Sequence, residues 1–199
     1  MRLILASASP RRRQLLDDAG YVFDVQPSAV DEPEPAPGVD PARYVAELAW
    51  MKAWAVASTL PDRDSPAVVL AADTAGHVNG VILNKPRDLE DADRMIRLQE
   101  GRETAVLTGL CLLRTDLRTW VGAVETSVVR FRRLASSERD AYLRSGRWEG
   151  KSGAYGVQDR DPFVEVVSGS WSNVVGLPLE RLRKLLPSMI SPEVNTQTR

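Results

Sequence analysis

The first sixteen residues pass from a strand to a helix with only a short polar link between them. Leu3–Leu5 form an apolar run typical of a short buried strand, and Gln14–Leu16 read as part of a helix. Ser9 is a good helix N-cap, and Pro10 suits the first helical position because an amide hydrogen there would be unpaired anyway. A strand followed so closely by a capped helix predicts an α/β fold.

Three arginines, Arg11, Arg12 and Arg13, fall in the first turn of that predicted helix. The amide dipoles make a helix N-terminus positive, so each cation there costs about 0.3–1 kcal/mol. The exposed amides also favour anions, and Ser7 and Ser9 would add hydroxyl donors beside them. Two interpretations stay open. Either a bound polyphosphate offsets the repulsion, or the arginines point away from the helix start into solvent.

The following segments alternate between predicted strands and helices, without an internal repeat of fixed period. Residues 21–28 alternate like a second strand, and residues 31–41 are too rich in proline and acid for regular structure. Asp40 caps the next predicted helix, which has one face that is apolar apart from a lysine. The residues of that face are Val45, Leu48, Ala49, Lys52, Ala53 and Val56.

The pair Asn79-Gly80 is the strongest hairpin signal in the sequence, because both residues tolerate the positive φ of a two-residue turn. It predicts that one strand ends near Asp73 and Thr74 and that a returning strand leads to Lys85. Because this hairpin stands among long strands, we predict a mixed sheet. The further predicted elements are a helix ending at Gly101, strands at 106–114 and 119–133, a helix at 136–146, an irregular segment at 150–161, a strand at 163–169, a loop at 170–176, a helix at 177–190 and a disordered tail at 191–199.

Composition excludes several classes of partner. A net charge of -1 gives no broad field that would gather nucleic acid, so any anion site has to be a local cluster. The basic run at 130–133 fits an exposed strand face better than RNA binding. The single Cys111 forms no intrachain disulfide, and no stretch approaches the ~18 apolar residues of a membrane helix. The N-terminus turns polar too early for a signal peptide, so we predict a cytoplasmic protein without nucleic-acid or membrane partners.

Acidic residues follow two of the predicted strands, with Asp31 and Glu32 after the second and Asp73 after the third. Hard cations such as Mg²⁺ are usually held by one or two carboxylates together with substrate phosphates and waters. Glu32 and Asp73 fit that pattern, although most acids at strand ends serve as turn or cap residues. Both interpretations stay open on these residues alone.

Lys52 and Lys85 also have two interpretations. Taken alone, Lys52 fits a lysine whose stem packs on the helix while its ammonium group reaches water. Taken with two carboxylates and two arginines, both lysines fit the charge demand of a metal-bound triphosphate. The sequence has no GxxxxGK[ST] motif, so it is not a P-loop protein. His77 is the only histidine, which argues against a zinc site and against serine-hydrolase chemistry.

At these residues the sequence resembles the Maf family of nucleoside triphosphate pyrophosphatases. The resemblance runs through nearly the whole chain, and its motifs are highly specific in combination. They are LASASPRR at 5–12, VDE at 30–32, LAWMKA at 48–53, AADT at 71–74, NKP around Lys85, VLTG at 106–109, GKSGAYGVQ at 150–158 and SNVVGLPL at 172–179.

The resemblance implies hydrolysis between the α and β phosphates of a nucleoside triphosphate, giving the monophosphate and pyrophosphate with Mg²⁺ or Mn²⁺. Asp73 matches the general base or metal-organising carboxylate and Glu32 matches its acidic partner, so both are predicted metal ligands. Lys52 and Lys85 complete the predicted catalytic set. The predicted substrate-binding residues are Ser7, Ser9, Arg11, Arg12, Thr74 and Gln158, of which Arg11, Thr74 and Gln158 match positions tied to nucleotide choice.

The resemblance also implies a fold and a branch of the family. The family fold is α/β, with a long mixed sheet flanked by helices and a cleft between two lobes, often as a dimer. We therefore predict one such domain over residues 1–190, with a homodimer as the implied assembly. The segment GAYGVQ at 153–158 resembles the branch that acts on dTTP and UTP, as opposed to the one that acts on 7-methyl-GTP.

Three departures from the family pattern bear on nucleotide choice. Thr104 stands where the family usually has histidine, Arg147-Trp148 replace the usual Glu-Pro, and Asp159 replaces a glycine. None of them belongs to the predicted phosphate-binding set. Two alternatives stay open. One is the same reaction on a modified or non-standard nucleotide, and the other is a nucleotide-binding regulator of cell division with little turnover.

Overall fold

The structure is a computed structural model that describes residues 1–60, 66–159 and 163–190. Strand β1 (Arg2–Leu5) leads into helix α1 (Pro10–Asp18), as predicted. Ser9 caps the helix by accepting a hydrogen bond from the Arg12 amide. Strand β2 covers only Asp24–Val25, so the prediction of a strand over 21–28 is mostly wrong. The reason is that β1 is short and offers β2 only its last two residues for pairing.

The described residues form one seven-stranded mixed sheet, which confirms the predicted fold class. Its remaining strands are β3 (Ala67–Val78), β4 (Val81–Leu83), β5 (Glu103–Arg114), β6 (Thr119–Phe131) and β7 (Val164–Ser168). The strand order is β2-β1-β3-β5-β6-β7, and β4 pairs with β3. Strand β1 is parallel to both of its neighbours, while the other pairs are antiparallel.

One face of the sheet is covered by helix α2 (Pro41–Ala57), which begins at the predicted cap Asp40. The helix lies very close to the middle of β5 because Gly109 has no side chain. A β carbon at Gly109 would stand 2.2 Å from the carbonyl oxygen of Val45, so any larger residue would push α2 away from the sheet. Lys52 lies two turns after Val45 on α2, so this close contact also sets the distance between Lys52 and the sheet.

The opposite face carries two separate apolar clusters. Helix α1 and helix α6 (Leu179–Ile190) pack around Leu112 in the first cluster. Helix α3 (Leu89–Gln99) and helix α4 (Ser136–Arg144) pack around Phe131 in the second. The two clusters form two lobes that share the long central strands.

The Asn79-Gly80 turn is present, with φ of 51° and 76°, but the strand before it is longer than predicted. Asp73 and Thr74 do not lie at the end of β3, which continues to Val78 before the turn. Strand β5 pairs with β3 along nearly its whole length, from Val68 to His77, and this pairing keeps β3 extended. Asp73 therefore lies in the middle of a central strand.

The prediction of a loop at 170–176 is also wrong, because most of this segment forms helix α5 (Trp171–Val175). Ser170 caps this helix, and the buried Asn173 side chain ties it to the sheet by donating to the Val106 carbonyl at 3.1 Å. The predicted domain over 1–190 stays a prediction, and the predicted tail at 191–199 lies outside the described residues.

Candidate active site

The site forms where one edge of β3 has no strand beside it. Strand β1 pairs with residues 67–70 of β3 and strand β4 with residues 76–78, so Asp73 and Thr74 lie between these two described pairings. Successive side chains of a strand point to opposite faces. Accordingly, Asp73 contacts α2 while Thr74 contacts α1. A cleft of about 500 Å³ opens at this gap and includes both residues in its lining.

Lys52 joins two carboxylates that are distant in the sequence. Its Nζ donates to Asp73 Oδ1 at 2.5 Å and to Glu32 Oε1 at 2.7 Å. The side chains of Lys52 and Asp73 are each only 8% exposed, while that of Glu32 is 35% exposed. The interpretation of Lys52 as a surface lysine with its ammonium in water is therefore wrong. Asp31, the acid next to Glu32, is exposed and lies outside the cleft lining.

The surroundings move the pKa values of the two acids in opposite directions. Burial raises the pKa of Asp73 above its ordinary value, although Lys52 and Arg12 oppose this by favouring the charged form. Burial also acts to raise the pKa of Glu32, but the hydrogen bond and charge of Lys52, followed by Lys85, outweigh it and lower that pKa. Acid pairs with separated pKa values are typical of sites that move protons.

The fold places the three arginines of α1 in different surroundings. Arg12 is half-buried and donates to the Gly176 carbonyl at 2.8 Å, to Ser7 Oγ at 3.2 Å and to Thr74 Oγ1 at 3.1 Å. Arg11 donates to the Gly150 carbonyl at 2.6 Å. Neither arginine forms an ion pair with a carboxylate of the described residues. Arg13 alone points outward, 68% exposed beside Asp17.

Ser7 and Ser9 line the cleft beside these arginines. Ser7 Oγ accepts from the Ser9 amide and from Arg12, and Ser9 Oγ accepts from the Arg12 amide at the helix cap. In these described contacts each hydroxyl acts as an acceptor, so its own proton stays available for an anion.

Lys85 and Gln158 occupy other walls of the cleft. Lys85 follows β4, its side chain is 54% exposed, and its Nζ lies 3.4 Å from both carboxylate oxygens of Glu32. Gln158 sits in a short 3₁₀ turn at Val157–Asp159 and folds over Gly156. The structure therefore brings all ten predicted site residues to one cleft: Ser7, Ser9, Arg11, Arg12, Glu32, Lys52, Asp73, Thr74, Lys85 and Gln158.

The departures from the family pattern differ in how they relate to the cleft. Asp159 forms an ion pair with Lys151, which lines the cleft. Trp148 packs against α4, where its ring nitrogen donates to the Leu143 carbonyl at 2.9 Å, and the Arg147 guanidinium lies 5.2 Å from the Tyr142 ring centre. Trp148 also contacts Lys151, because its carbonyl accepts from the Lys151 amide at 3.3 Å. Asp159 and Trp148 therefore both contact the cleft lining.

Tyr44 lies outside the cleft lining but supports the segments that carry Glu32 and Lys85, and the sequence did not indicate this role. Its hydroxyl donates to the Pro33 carbonyl at 2.9 Å and accepts from the Asn84 amide at 2.8 Å. It thereby ties the residue after Glu32 to the residue before Lys85. The available signal was its position on α2, eight residues before Lys52, since residues at i, i+4 and i+8 share one helix face.

The donor set fits a hard divalent cation that also takes ligands from a phosphate. No group of three or more histidine, cysteine, aspartate or glutamate side chains that could hold a metal occurs in the described part of the chain. Glu32 and Asp73, both within 2.7 Å of the same ammonium nitrogen, match the alternative in which one or two carboxylates are completed by substrate oxygens and waters.

The fold and the cleft define an α/β protein with paired carboxylates on one wall. On another wall, at a helix start, stand two arginines that form no ion pair with a carboxylate of the described residues. A family model described as Maf-like protein matches residues 2–189. The chain therefore belongs to the Maf family.

Curated relatives cover nearly the whole chain. A dTTP/UTP pyrophosphatase of Anaeromyxobacter dehalogenans (strain 2CP-C) is 46% identical over 188 residues, covering 93% of this chain and 92% of the relative. A dTTP/UTP pyrophosphatase of Sphingopyxis alaskensis is 46% identical over 195 residues, covering 96% and 97%. A crystal structure of a nucleoside-triphosphatase / dITP/XTP pyrophosphatase from Mycobacterium abscessus aligns over 96% of both chains at 12% identity, with a TM-score of 0.39. Separately, every helix in the described ranges is too short or too polar to span a membrane.

Proposed function

We propose that this chain hydrolyses dTTP and UTP to the nucleoside monophosphate and pyrophosphate. The observation that carries the proposal is the cluster in which buried Lys52 holds Asp73 and Glu32 beside Arg11 and Arg12, neither of which forms an ion pair with a described carboxylate. The family membership and the names of the relatives support the same reaction.

The arginines explain how a triphosphate would be held. Arg11 and Arg12 stand at the first turn of α1, where the helix dipole already favours an anion. Their charges are unfavourable there without a ligand, and a polyphosphate would relieve that repulsion. Lys85, mostly exposed at the mouth of the cleft, adds a mobile cation for the same phosphates.

Glu32 and Asp73 would hold Mg²⁺ or Mn²⁺ together with phosphate oxygens. The bound cation would supply positive charge to neutralise the phosphates during cleavage. Lys52 keeps the two carboxylates at a shared position, so they are preorganised before any ligand arrives.

Asp73 is the group that accepts the proton in this proposal. The water oxygen bonds to the α phosphorus, the bond from that phosphorus to the oxygen bridging the β phosphate breaks, and the water's proton passes to Asp73. The raised pKa of Asp73 makes its carboxylate a stronger base than an exposed aspartate. Pyrophosphate leaves with the electrons of the broken bond, beside the arginines.

Nucleotide choice is assigned to Arg11, Thr74 and Gln158, which all line the cleft. The relatives' names support dTTP and UTP. A panel of nucleoside triphosphates, canonical and modified, assayed for pyrophosphate release with Mg²⁺, Mn²⁺ or excess chelator tests this. We expect dTTP and UTP to lead and chelator to stop turnover. A modified nucleotide turned over at least ten times faster would favour the first alternative, and tight binding without pyrophosphate release would favour the regulator.

The pH dependence of turnover follows from the raised pKa of Asp73. Only the deprotonated carboxylate can accept a proton, so activity is present above that pKa and lost as the pH falls through it. We expect the kcat/KM profile for UTP to fall on the acid side in the wild type, and the residual activity of Asp73→Asn to lack the part of that fall that belongs to Asp73. An acid limb that is unchanged in Asp73→Asn would contradict the role of Asp73.

Lys85→Ala should reduce activity much more than stability. The exposed lysine contributes little to folding, because surface ion pairs are worth roughly 0–1 kcal/mol. Loss of its charge near the phosphates should lower kcat/KM about 10- to 100-fold. Thermal unfolding and pyrophosphate release measure the two effects, with exposed Lys184→Ala on α6 as the control. A lower melting temperature with normal kcat/KM would instead assign Lys85 a packing role.

The cytoplasmic location and the homodimer stay predictions. The single cysteine and the family resemblance support them, and light scattering of the purified protein at several concentrations tests the dimer.

A further inference from the structure

Thr108 lies directly behind the cleft on β5, as the register partner of Thr74 on β3. It is fully buried and outside the cleft lining. Its Oγ1 lies 3.0 Å from Thr74 Oγ1 and 3.1 Å from the carbonyl oxygen of Asn173 on α5. Arg12 Nη2 lies 3.1 Å from Thr74 Oγ1. These three contacts form a chain of hydrogen bonds that runs from α1 across one face of the sheet to α5.

The two end groups of this hydrogen-bond chain determine which group donates at each contact. A guanidinium only donates and a carbonyl oxygen only accepts, while each threonine hydroxyl has a single proton. All three contacts are hydrogen bonds only if Arg12 donates to Thr74, Thr74 donates to Thr108, and Thr108 donates to Asn173. Thr74 then meets the arginine as an acceptor and has no proton left for a ligand.

We propose that Thr108 is a positioning residue that holds the Thr74 hydroxyl as an acceptor and, through it, holds the Arg12 guanidinium in the cleft. The proposal rests on the proposed function in taking a nucleoside triphosphate as the ligand. It also makes the Thr74 hydroxyl a hydrogen-bond acceptor toward the substrate, so a nucleotide group that contacts it has to be a hydrogen-bond donor.

Thr108→Val is the direct test, since valine has nearly the same shape and no hydroxyl. The Thr74 proton then loses its acceptor, the hydroxyl can rotate, and Arg12 is held less well. With Mg²⁺ present, we expect the Kd of α,β-methylene-UTP, measured by calorimetry, to rise about tenfold, and the KM for UTP to rise similarly with kcat changed less than threefold. Thr108→Ser keeps the hydroxyl and should restore the wild-type Kd.

Cys111→Ala is a control on the same strand. Cys111 is also buried, carries a free thiol and lies outside the cleft lining. It takes no part in the three hydrogen bonds of the chain, so this variant should leave both Kd and KM unchanged. An equal rise in Kd for Cys111→Ala and Thr108→Val would overturn the proposal, because the effect would then follow from any change in the core.

A double-mutant cycle separates positioning from general damage. Thr74→Val should raise the Kd about as much as Thr108→Val, and the double variant should be no weaker than Thr74→Val alone, because Thr108 acts through Thr74. Losses that multiply, a Thr108→Val variant with the wild-type Kd, or a Thr108→Ser variant that fails to recover would each overturn the proposal.

These binding measurements do not depend on turnover. If the wild-type protein binds the analogue but releases no pyrophosphate, the proposed function fails while the Kd ratios still decide the role of Thr108. If Thr108→Val does not unfold cooperatively, Thr108→Ser and Thr74→Val decide it. The proposal requires wild-type affinity from the first and a loss of about tenfold from the second.

Discussion

Asp73→Asn is expected to lower kcat for UTP by about a thousandfold, with the fold intact. A positioned carboxylate acting as general base contributes roughly 10²- to 10⁴-fold, and the asparagine amide can neither accept the proton nor bind a cation as a carboxylate does. The fold should tolerate the change. An asparagine of the same shape fills the same space, and Lys52 keeps Glu32 as a charged partner at 2.7 Å, so its ammonium is not left buried and unpaired.

The measurement combines pyrophosphate release with thermal unfolding, and Asp91→Asn is the control. Asp91 is another buried carboxylate, bound by Arg94 at 2.7 Å on α3 and outside the cleft lining. Its pKa is lowered, because the hydrogen bonds from Arg94 and Arg87 outweigh burial, so its loss should reduce stability and leave kcat unchanged. An Asp73→Asn variant with wild-type kcat would remove Asp73 from the chemistry.

Lys52→Met is expected to lower activity at least about a hundredfold and also to destabilise the protein. Methionine keeps most of the buried stem but removes the cation shared by Asp73 and Glu32. Two carboxylates are then left close together without a counter-charge, and breaking a buried ion pair typically costs about 3–5 kcal/mol. The repulsion should also displace both acids from the positions in which they act.

The pH dependence of that destabilisation has a definite sign. Without Lys52, the folded state should raise the pKa of both acids, so their protonated forms are favoured on folding. The stability lost relative to wild type should then be largest at pH 8 and shrink as the pH falls, which thermal unfolding at several pH values measures. Exposed Lys184→Met on α6 is the control and should change neither activity nor melting temperature. A Lys52→Met deficit that is the same at every pH would point to packing and not to charge.

Local features were predictable from the sequence because short-range physics decides them. The caps at Ser9 and Asp40 follow from side chains that accept a hydrogen bond from the next turn. The turn at Asn79-Gly80 follows from two residues that tolerate positive φ. The family resemblance and the complementary charges of distant motifs predicted the set of site residues, and the structure brings these residues to one cleft. Their catalytic and binding roles stay predictions.

Features that depend on distant partners were not predictable. The end of β3 was misplaced because pairing with β5, and not local sequence, keeps Asp73 in an extended strand. Helix α5 was missed because five residues are too few to show a helical period, and its stability comes from the buried contacts of Asn173. The burial of Lys52 could not be predicted from the sequence around it, because its carboxylate partners come from other segments.

The central claim is that water attacks the α phosphorus of a triphosphate held in this cleft. The most direct measurement is to run the reaction with UTP in ¹⁸O-labelled water and to analyse both products by mass spectrometry. We expect equal amounts of UMP and pyrophosphate, with the label only in UMP. Label in pyrophosphate, or UDP and inorganic phosphate as the products, would contradict the claim.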